Sequence, residues 1–108
     1  MAKVGIDKIV SYLERAVAES GLAAPRIVLF GSCARGTATE ESDVDVAIIS
    51  SSFRGKDIFE RARLTKNVEI NAIKKFMLPF DIVTLTPEEY DGGSMISEFI
   101  KAAAGSSI

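Results

Sequence analysis

The most constraining feature of the sequence is a short segment that opens with two acidic residues and continues as an apolar run. Asp43 and Asp45 alternate with Val44, residues 46–49 are all apolar, and serines at 50–52 end the segment. A strand that is apolar on both faces belongs in the middle of a sheet that is covered on both sides. The pattern therefore predicts a central strand over residues 43–49.

Further elements are predicted on both sides of this strand. Helical spacing of apolar residues predicts a helix over residues 4–20, ended by Gly21, and a short strand follows at 26–30. Residues 32–36 could form a helical turn before a polar loop at 37–42. Residues 56–77 favour helix, as one helix or two, and 80–85 a third strand. Thr86 and Pro87 begin a short helix, and residues 94–104 form a last one. The sequence thus predicts a single domain over residues 1–108, in the order α-β-α-β-α-β-α.

Composition excludes several classes of chemistry. The 108 residues contain no histidine and one cysteine, Cys33. Histidine-dependent nucleophilic pairs, histidine-ligated zinc, cysteine-based metal clusters and an intramolecular disulfide are therefore excluded. We interpret Cys33 as a small, buried or half-buried packing residue.

Charge and hydropathy bear on the partners and the cellular compartment of the protein. A net charge of −2 and a pI near 5.1 argue against a dedicated nucleic-acid binder. Charged residues at the N-terminus, beginning with Lys3, Asp7 and Lys8, interrupt any apolar run that could act as a signal peptide or membrane span. We expect a reducing, cytoplasmic setting without membrane insertion.

The acidic residues predict a metal site. The alternation of a strand sends Asp43 and Asp45 to the same face, and Asp81 lies early in the third strand. Alone, such a pair at a strand start is more often a solvated edge. Like charges at an apolar strand favour a bound cation, and carboxylates without histidine or cysteine select Mg²⁺ or Mn²⁺, the former commonly bound together with substrate phosphates.

A glycine and a serine after the first strand fit a phosphate partner. Gly31 allows a sharp turn and a close approach to a ligand, and the Ser32 hydroxyl and following amides could hold phosphate oxygens. Arg35 could add a charged contact to the same phosphates or form a structural salt bridge. Taken alone, Ser32 is equally explained as a turn residue or helix cap.

These motifs together resemble the signature of a known superfamily. Gly31-Ser32, ten residues, and then Asp43-Val44-Asp45 is similar to the pattern of the DNA polymerase β-like nucleotidyltransferases, in particular their minimal group. The likeness extends through Asp81 and the segment after it, and so covers most of the chain. It implies an α+β fold with a small mixed β-sheet flanked by helices.

The resemblance also implies an activity and residue roles. It implies transfer of a nucleoside monophosphate, AMP from ATP, to a hydroxyl group with two Mg²⁺ or Mn²⁺ ions. Gly31, Ser32 and Arg35 would bind the triphosphate, and Asp43 and Asp45 the metals. Asp81 would be a metal ligand and the base. Whether it takes the proton directly or acts through the metal stays open.

The identity of the acceptor follows from the same resemblance. Larger members carry helical acceptor domains, for which this chain has no room, so no nucleic-acid template is expected. Minimal members are paired with helical HEPN-type proteins, as antitoxins that in some systems transfer AMP to the toxin. A partner could complete the edge of the sheet. The alternatives are a non-catalytic binding module that neutralises its partner by contact and, less favoured, small-molecule nucleotidylation in a homodimeric pocket.

A cationic cluster is left outside this scheme. Arg54, Lys56, Arg61 and Arg63 lie close together along the sequence, at and before the start of the long helix. Such a cluster is usually a solvated face. Contact with an acidic partner or with the nucleotide phosphates is the alternative.

Overall fold

The computed structural model describes residues 5–31 and 43–93, together with residues 95, 98, 100 and 102. The predicted helical turn at 32–36 and the loop at 37–42 lie outside these residues. Within them, the predicted order of elements is confirmed. The elements are α1 (Ile6–Glu19), β1 (Arg26–Phe30), β2 (Val44–Ile49), a 3₁₀ turn (Ser51–Phe53), α2 (Ile58–Phe76), β3 (Phe80–Leu85) and α3 (Pro87–Asp91).

The three strands form a mixed sheet in the order β1-β2-β3. β2 pairs antiparallel with β1 and parallel with β3. The prediction of a central, doubly covered β2 is confirmed, because every residue of this strand except Asp45 is buried. The C-terminal end of β1 and the N-terminal ends of β2 and β3 therefore meet at one edge of the sheet.

The core has two parts, one on each face of the sheet. On the first face, Val44, Val46 and Ile48 of β2 pack against buried residues of α1 and α2. On the second face, Ala47 and Ile49 pack with a smaller apolar set that is completed by Phe30, Leu85 and Ile100. Asp45 follows the alternation of Ala47 and Ile49, so it lies on the second face, away from α1 and α2.

Local signals explain where the helices begin and end. For residues 56–77 the sequence did not decide between one helix and two. The structure has a single helix there, α2, of 19 residues. Asp57 and Glu60 form a capping box at its start, and Met77 ends it in the left-handed conformation with φ of 56°. Thr86 and Glu89 form a second capping box with Pro87 at the start of α3, as predicted. Residues 95, 98, 100 and 102 are helical, in agreement with the last predicted helix.

Candidate active site

Two of the predicted acidic residues face each other on neighbouring strands. Asp45 and Asp81 are register partners in the parallel pair β2–β3. Partner residues in adjacent strands point to the same face, and the strands are about 4.8 Å apart. Asp45 is half-buried, whereas Asp81 is exposed. Topology thus brings together two carboxylates that are separated by 36 positions in the sequence.

Asp43 lies at the same edge of the sheet. It immediately precedes β2 and is exposed, and its backbone position is two residues before Asp45. The charges of both Asp81 and Asp43 act on the Asp45 carboxylate. The structure therefore places Asp43, Asp45 and Asp81 in one electrostatic neighbourhood.

Gly31 adjoins the Asp45 carboxylate from β1. Phe30, the last residue of β1, is the register partner of Asp45, and Gly31 follows it with φ of +78°. A Cβ atom at position 31 would overlap Asp45 Oδ2 and lie 3.2 Å from its Cγ. Glycine is required here both by the backbone conformation and by the proximity of the carboxylate.

The electrostatic state of Asp45 reflects this crowding. Burial raises the pKa of the Asp45 carboxyl group, and the negative charges of Asp81 and Asp43 raise that pKa further. Each of these effects disfavours the ionised form. A cation beside Asp45 would offset the repulsion from Asp81 and Asp43 and so favour the ionised carboxylate.

The donor set fits a hard divalent cation. Three carboxylates at one edge of a sheet, with no histidine in the chain, match the oxygen ligands of Mg²⁺ and Mn²⁺. In the described part of the chain, no group of three or more acidic, cysteine or histidine side chains is close enough to enclose such an ion. Mutual repulsion of the carboxylates favours an open arrangement of this kind. When bound, a divalent ion would neutralise phosphate charge and lower the pKa of an acceptor hydroxyl group.

The two other predicted phosphate contacts lie outside the described residues. These are Ser32, which follows Gly31 directly, and Arg35. Their roles stay predictions from the sequence. The position of Gly31 shows that the chain enters this segment directly beside Asp45.

The sequence did not reveal a polar network behind β3. Arg61 of α2 donates hydrogen bonds to Glu89 Oε1 at 2.9 Å and to the Thr84 carbonyl at 3.3 Å, and its side chain is only 15% exposed. Arg54 pairs with Glu88 in the same region. The acidic first turn of α3 was the available signal, but its partners are about thirty positions away and only the fold identifies them.

Comparison with solved structures concerns the fold alone. A solved structure from Sulfolobus solfataricus, described as a candidate nucleotidyltransferase, shares the fold with a TM-score of 0.56 and 23% identity, over 79% of this chain and 70% of that one. The BolA domain of SufE1 from Arabidopsis thaliana, at 24% identity over 81% of this chain and 99% of that one, has a TM-score of 0.48, too low to support an argument.

Comparison with sequence families is more specific than comparison with solved structures. No curated protein matches the chain significantly. Among the described residues, none of the helices is both long enough and apolar enough to span a membrane. The sequence profile of the nucleotidyltransferase domain matches residues 9–103, a range that includes β1, β2, β3 and all three acidic residues. This chain belongs to the nucleotidyltransferase domain family, with the small mixed sheet and flanking helices of the polymerase β-like fold.

Proposed function

We propose that this domain transfers AMP from ATP to a hydroxyl group of a partner protein in a reaction that requires Mg²⁺. The observation that carries the proposal is the alignment of Asp45 with Asp81 across β2 and β3, beside a glycine whose lack of a side chain leaves room for the Asp45 carboxylate. Family membership supports nucleotidyl transfer in general. AMP, the protein acceptor and the metal are the parts that the experiment must test.

The residues of the site would have different roles in the reaction. Asp43 and Asp45 would hold the metal, and Asp81 would either share it or accept the proton of the acceptor hydroxyl group. The acceptor oxygen forms a bond to the α-phosphorus, and the bond from that phosphorus to the leaving pyrophosphate breaks. Gly31, Ser32 and Arg35 would hold the triphosphate at the end of β1.

The proposed acceptor is a helical protein of the HEPN type, for which this domain would act as an antitoxin. The support is the resemblance of the motif to the minimal nucleotidyltransferases. Negative net charge at neutral pH also disfavours a nucleic-acid template or acceptor.

A transfer assay tests the proposal. The protein is incubated with Mg²⁺ and ATP labelled on the α-phosphate, with the product of the neighbouring gene as acceptor. GTP, CTP and UTP are tested in parallel. We expect label from ATP on the acceptor, and none with Asp45→Asn. Label from another nucleotide would correct the choice of AMP, whereas label that persists in Asp45→Asn would overturn the assignment of the site.

The second candidate is a binding module that neutralises its partner without transfer. The open arrangement of acidic side chains in the described residues is compatible with it, since contact alone requires no enclosed metal site. A stable complex that forms equally with the wild type and with Asp45→Asn, without transfer of label, would favour this candidate.

A further inference from the structure

The side of α2 that faces away from the sheet has an unusual composition. The buried residues of this helix, Thr65, Val68 and Ala72, mark the side that packs on the core. On the opposite side, residues recur at spacings of three and four and form one continuous line along the helix. This outward face of α2 consists of Phe59, Arg63, Lys66, Ile70 and Lys74, together with Met77, the residue that directly follows the helix.

The apolar members of the outward face are exposed, two of them strongly. Phe59 is 74% exposed, Met77 81% and Ile70, between them, 37%. Single exposed apolar residues are ordinary, but here three of them recur along one side of the helix, with cations between them. This mixed apolar and cationic face is suited to contact with a partner of complementary composition.

The cationic members of the same face have no acidic counterpart among the described residues. None of Arg63, Lys66 and Lys74 forms an ion pair there, whereas Arg54 and Arg61, of the cationic cluster noted in the sequence, are paired with Glu88 and Glu89. The cluster thus includes two cations that pair with α3 and one, Arg63, that forms no ion pair among the described residues.

Acidic residues of α2 lie off this face. Glu60 is engaged in the capping box with Asp57, and Glu69 lines a groove beside β3. The outward face therefore consists of apolar and cationic side chains and contains no acidic residue of α2. A surface complementary to it is apolar and negatively charged.

We propose that the outward face of α2 is a docking surface for an acidic, amphipathic helix of a partner protein. A helix laid along it would place apolar side chains against Phe59, Ile70 and Met77, and carboxylates against the cations between them. The surface stands independently of the transfer reaction, because the acidic site lies on the opposite face of the sheet from α2.

Two other occupants fit less well. A second copy that packs through the same face would oppose Arg63, Lys66 and Lys74 with identical cations. A membrane-bound helix inserts its apolar side and keeps its charges on the polar face, but here the cations interrupt the apolar line itself. Charge complementarity therefore favours an acidic helix.

Peptide binding provides the test. The probe is a fluorescent synthetic helix with leucines along one side and glutamates beside them, and a second peptide carries lysines in place of the glutamates. Anisotropy is measured with the full chain. We expect the acidic peptide to bind and the basic peptide not to bind. Equal binding of both peptides, or no binding of the acidic one, would overturn the proposal.

Matched variants locate the surface. Arg63→Glu/Lys74→Glu should weaken binding of the acidic peptide by about tenfold or more, because attraction is replaced by repulsion. Lys8→Glu/Arg15→Glu, on exposed positions of α1, makes the same change in net charge and should leave the affinity unchanged. An equal loss in both variants would overturn the assignment to α2.

Further variants and measurements distinguish an acidic helix from the other possible occupants of this face. Phe59→Ser/Ile70→Ser should also weaken peptide binding, which a purely electrostatic contact would not show. Circular dichroism confirms that each variant is folded. Self-association in sedimentation that disappears in Phe59→Ser/Ile70→Ser would assign the face to a second copy and overturn the proposal. Binding to phosphatidylglycerol vesicles without binding to the acidic peptide would assign it to a membrane and would equally overturn it.

Discussion

Asp45 occupies a position at which its own negative charge is unfavourable. It is half-buried, and Asp81 and Asp43 add repulsion, so the pKa of its carboxyl group is raised in the folded chain. For an acid with a raised pKa, ionisation costs folding free energy as the pH rises through the pKa of the unfolded state. A residue that lowers stability at neutral pH and lies beside two further acids is typical of a functional site.

Replacement of Asp45 by Asn separates function from stability. Transfer should fall by about a hundredfold or more, since a metal contact supplies several kcal/mol of transition-state stabilisation. Thermal unfolding at pH 7 should show an equal or slightly higher midpoint, because the charge repulsion is removed. Near-normal turnover at saturating Mg²⁺ would show that Asp45 does not hold the metal.

Gly31 can be tested with a control inside the same chain. Gly31 and Gly55 both have positive φ, at 78° and 72°, but a Cβ atom meets Asp45 only at position 31. Alanine at Gly55 should cost about 1–2 kcal/mol of stability, and alanine at Gly31 should cost at least as much, because its Cβ also overlaps Asp45. Only Gly31→Ala should also lower transfer, by about a hundredfold, because it displaces the carboxylate. Equal activity of the two variants would remove Gly31 from the site.

At the scale of elements, α2, β3 and α3 are joined by Arg61. Its guanidinium group contacts Glu89 and the Thr84 carbonyl, and its Cζ lies 5.9 Å from the centre of the Phe53 ring. The hydrogen bond from Arg61 is the main cause that lowers the pKa of Glu89. Since β3 carries Asp81, this network fixes one of the strands that form the candidate site.

The lowered pKa of Glu89 predicts a pH-dependent contribution to stability. The contribution is complete above the unfolded pKa of about 4.3 and is lost as the pH falls through the lower folded pKa. Because the Glu89 side chain is partly exposed, we expect it to be about 1 kcal/mol or less. Urea unfolding between neutral and acidic pH should show a smaller acid-dependent loss in Glu89→Gln than in the wild type.

A matched control excludes a general effect of charge. Glu14 is exposed on α1, and Glu14→Gln makes the same change in charge away from the network. This variant should retain the acid-dependent loss of the wild type. If both variants lose the same pH dependence, Arg61 does not stabilise Glu89 in the way proposed.

The sequence predicts an element well when the interactions that form it join residues close together in the chain, and poorly when they join residues far apart. The capping signals at Thr86 and Pro87 and the apolar run of β2 act locally, and their predictions are confirmed. Whether α2 was one helix or two could not be decided locally, because packing of Val68 and Ala72 on the core outweighs the weak helical signal at Lys66 and Asn67.

The site shows the same division. Spacing alone predicts that Asp43 and Asp45 share one face, and in the structure Asp43 directly precedes β2, two positions before Asp45. The register of Asp45 with Asp81 and the overlap of a Cβ atom at Gly31 depend on strand pairing, which the sequence of either strand does not encode by itself. Long-range charge partners such as Arg61 and Glu89 were unpredictable for the same reason.

At the scale of the whole molecule, apolar residues fall into two groups with different expected energetics. Leu13 of α1 is fully buried in the core that α1 and α2 form on the sheet, whereas Phe59 of α2 is mostly exposed. If the outward face of α2 is reserved for a partner, Phe59 should contribute little to the folding of the isolated chain. Its exposure is then a cost that binding recovers.

Urea unfolding of two variants tests this division. Leu13→Ala should cost about 2–5 kcal/mol, because it removes buried contacts and leaves a cavity. Phe59→Ser should change the free energy of unfolding by about 0.5 kcal/mol or less, as surface substitutions usually do. A cost for Phe59→Ser close to that for Leu13→Ala would mean that the outward face is already covered in the isolated protein. That outcome would leave no open surface on α2 for an acidic helix to bind.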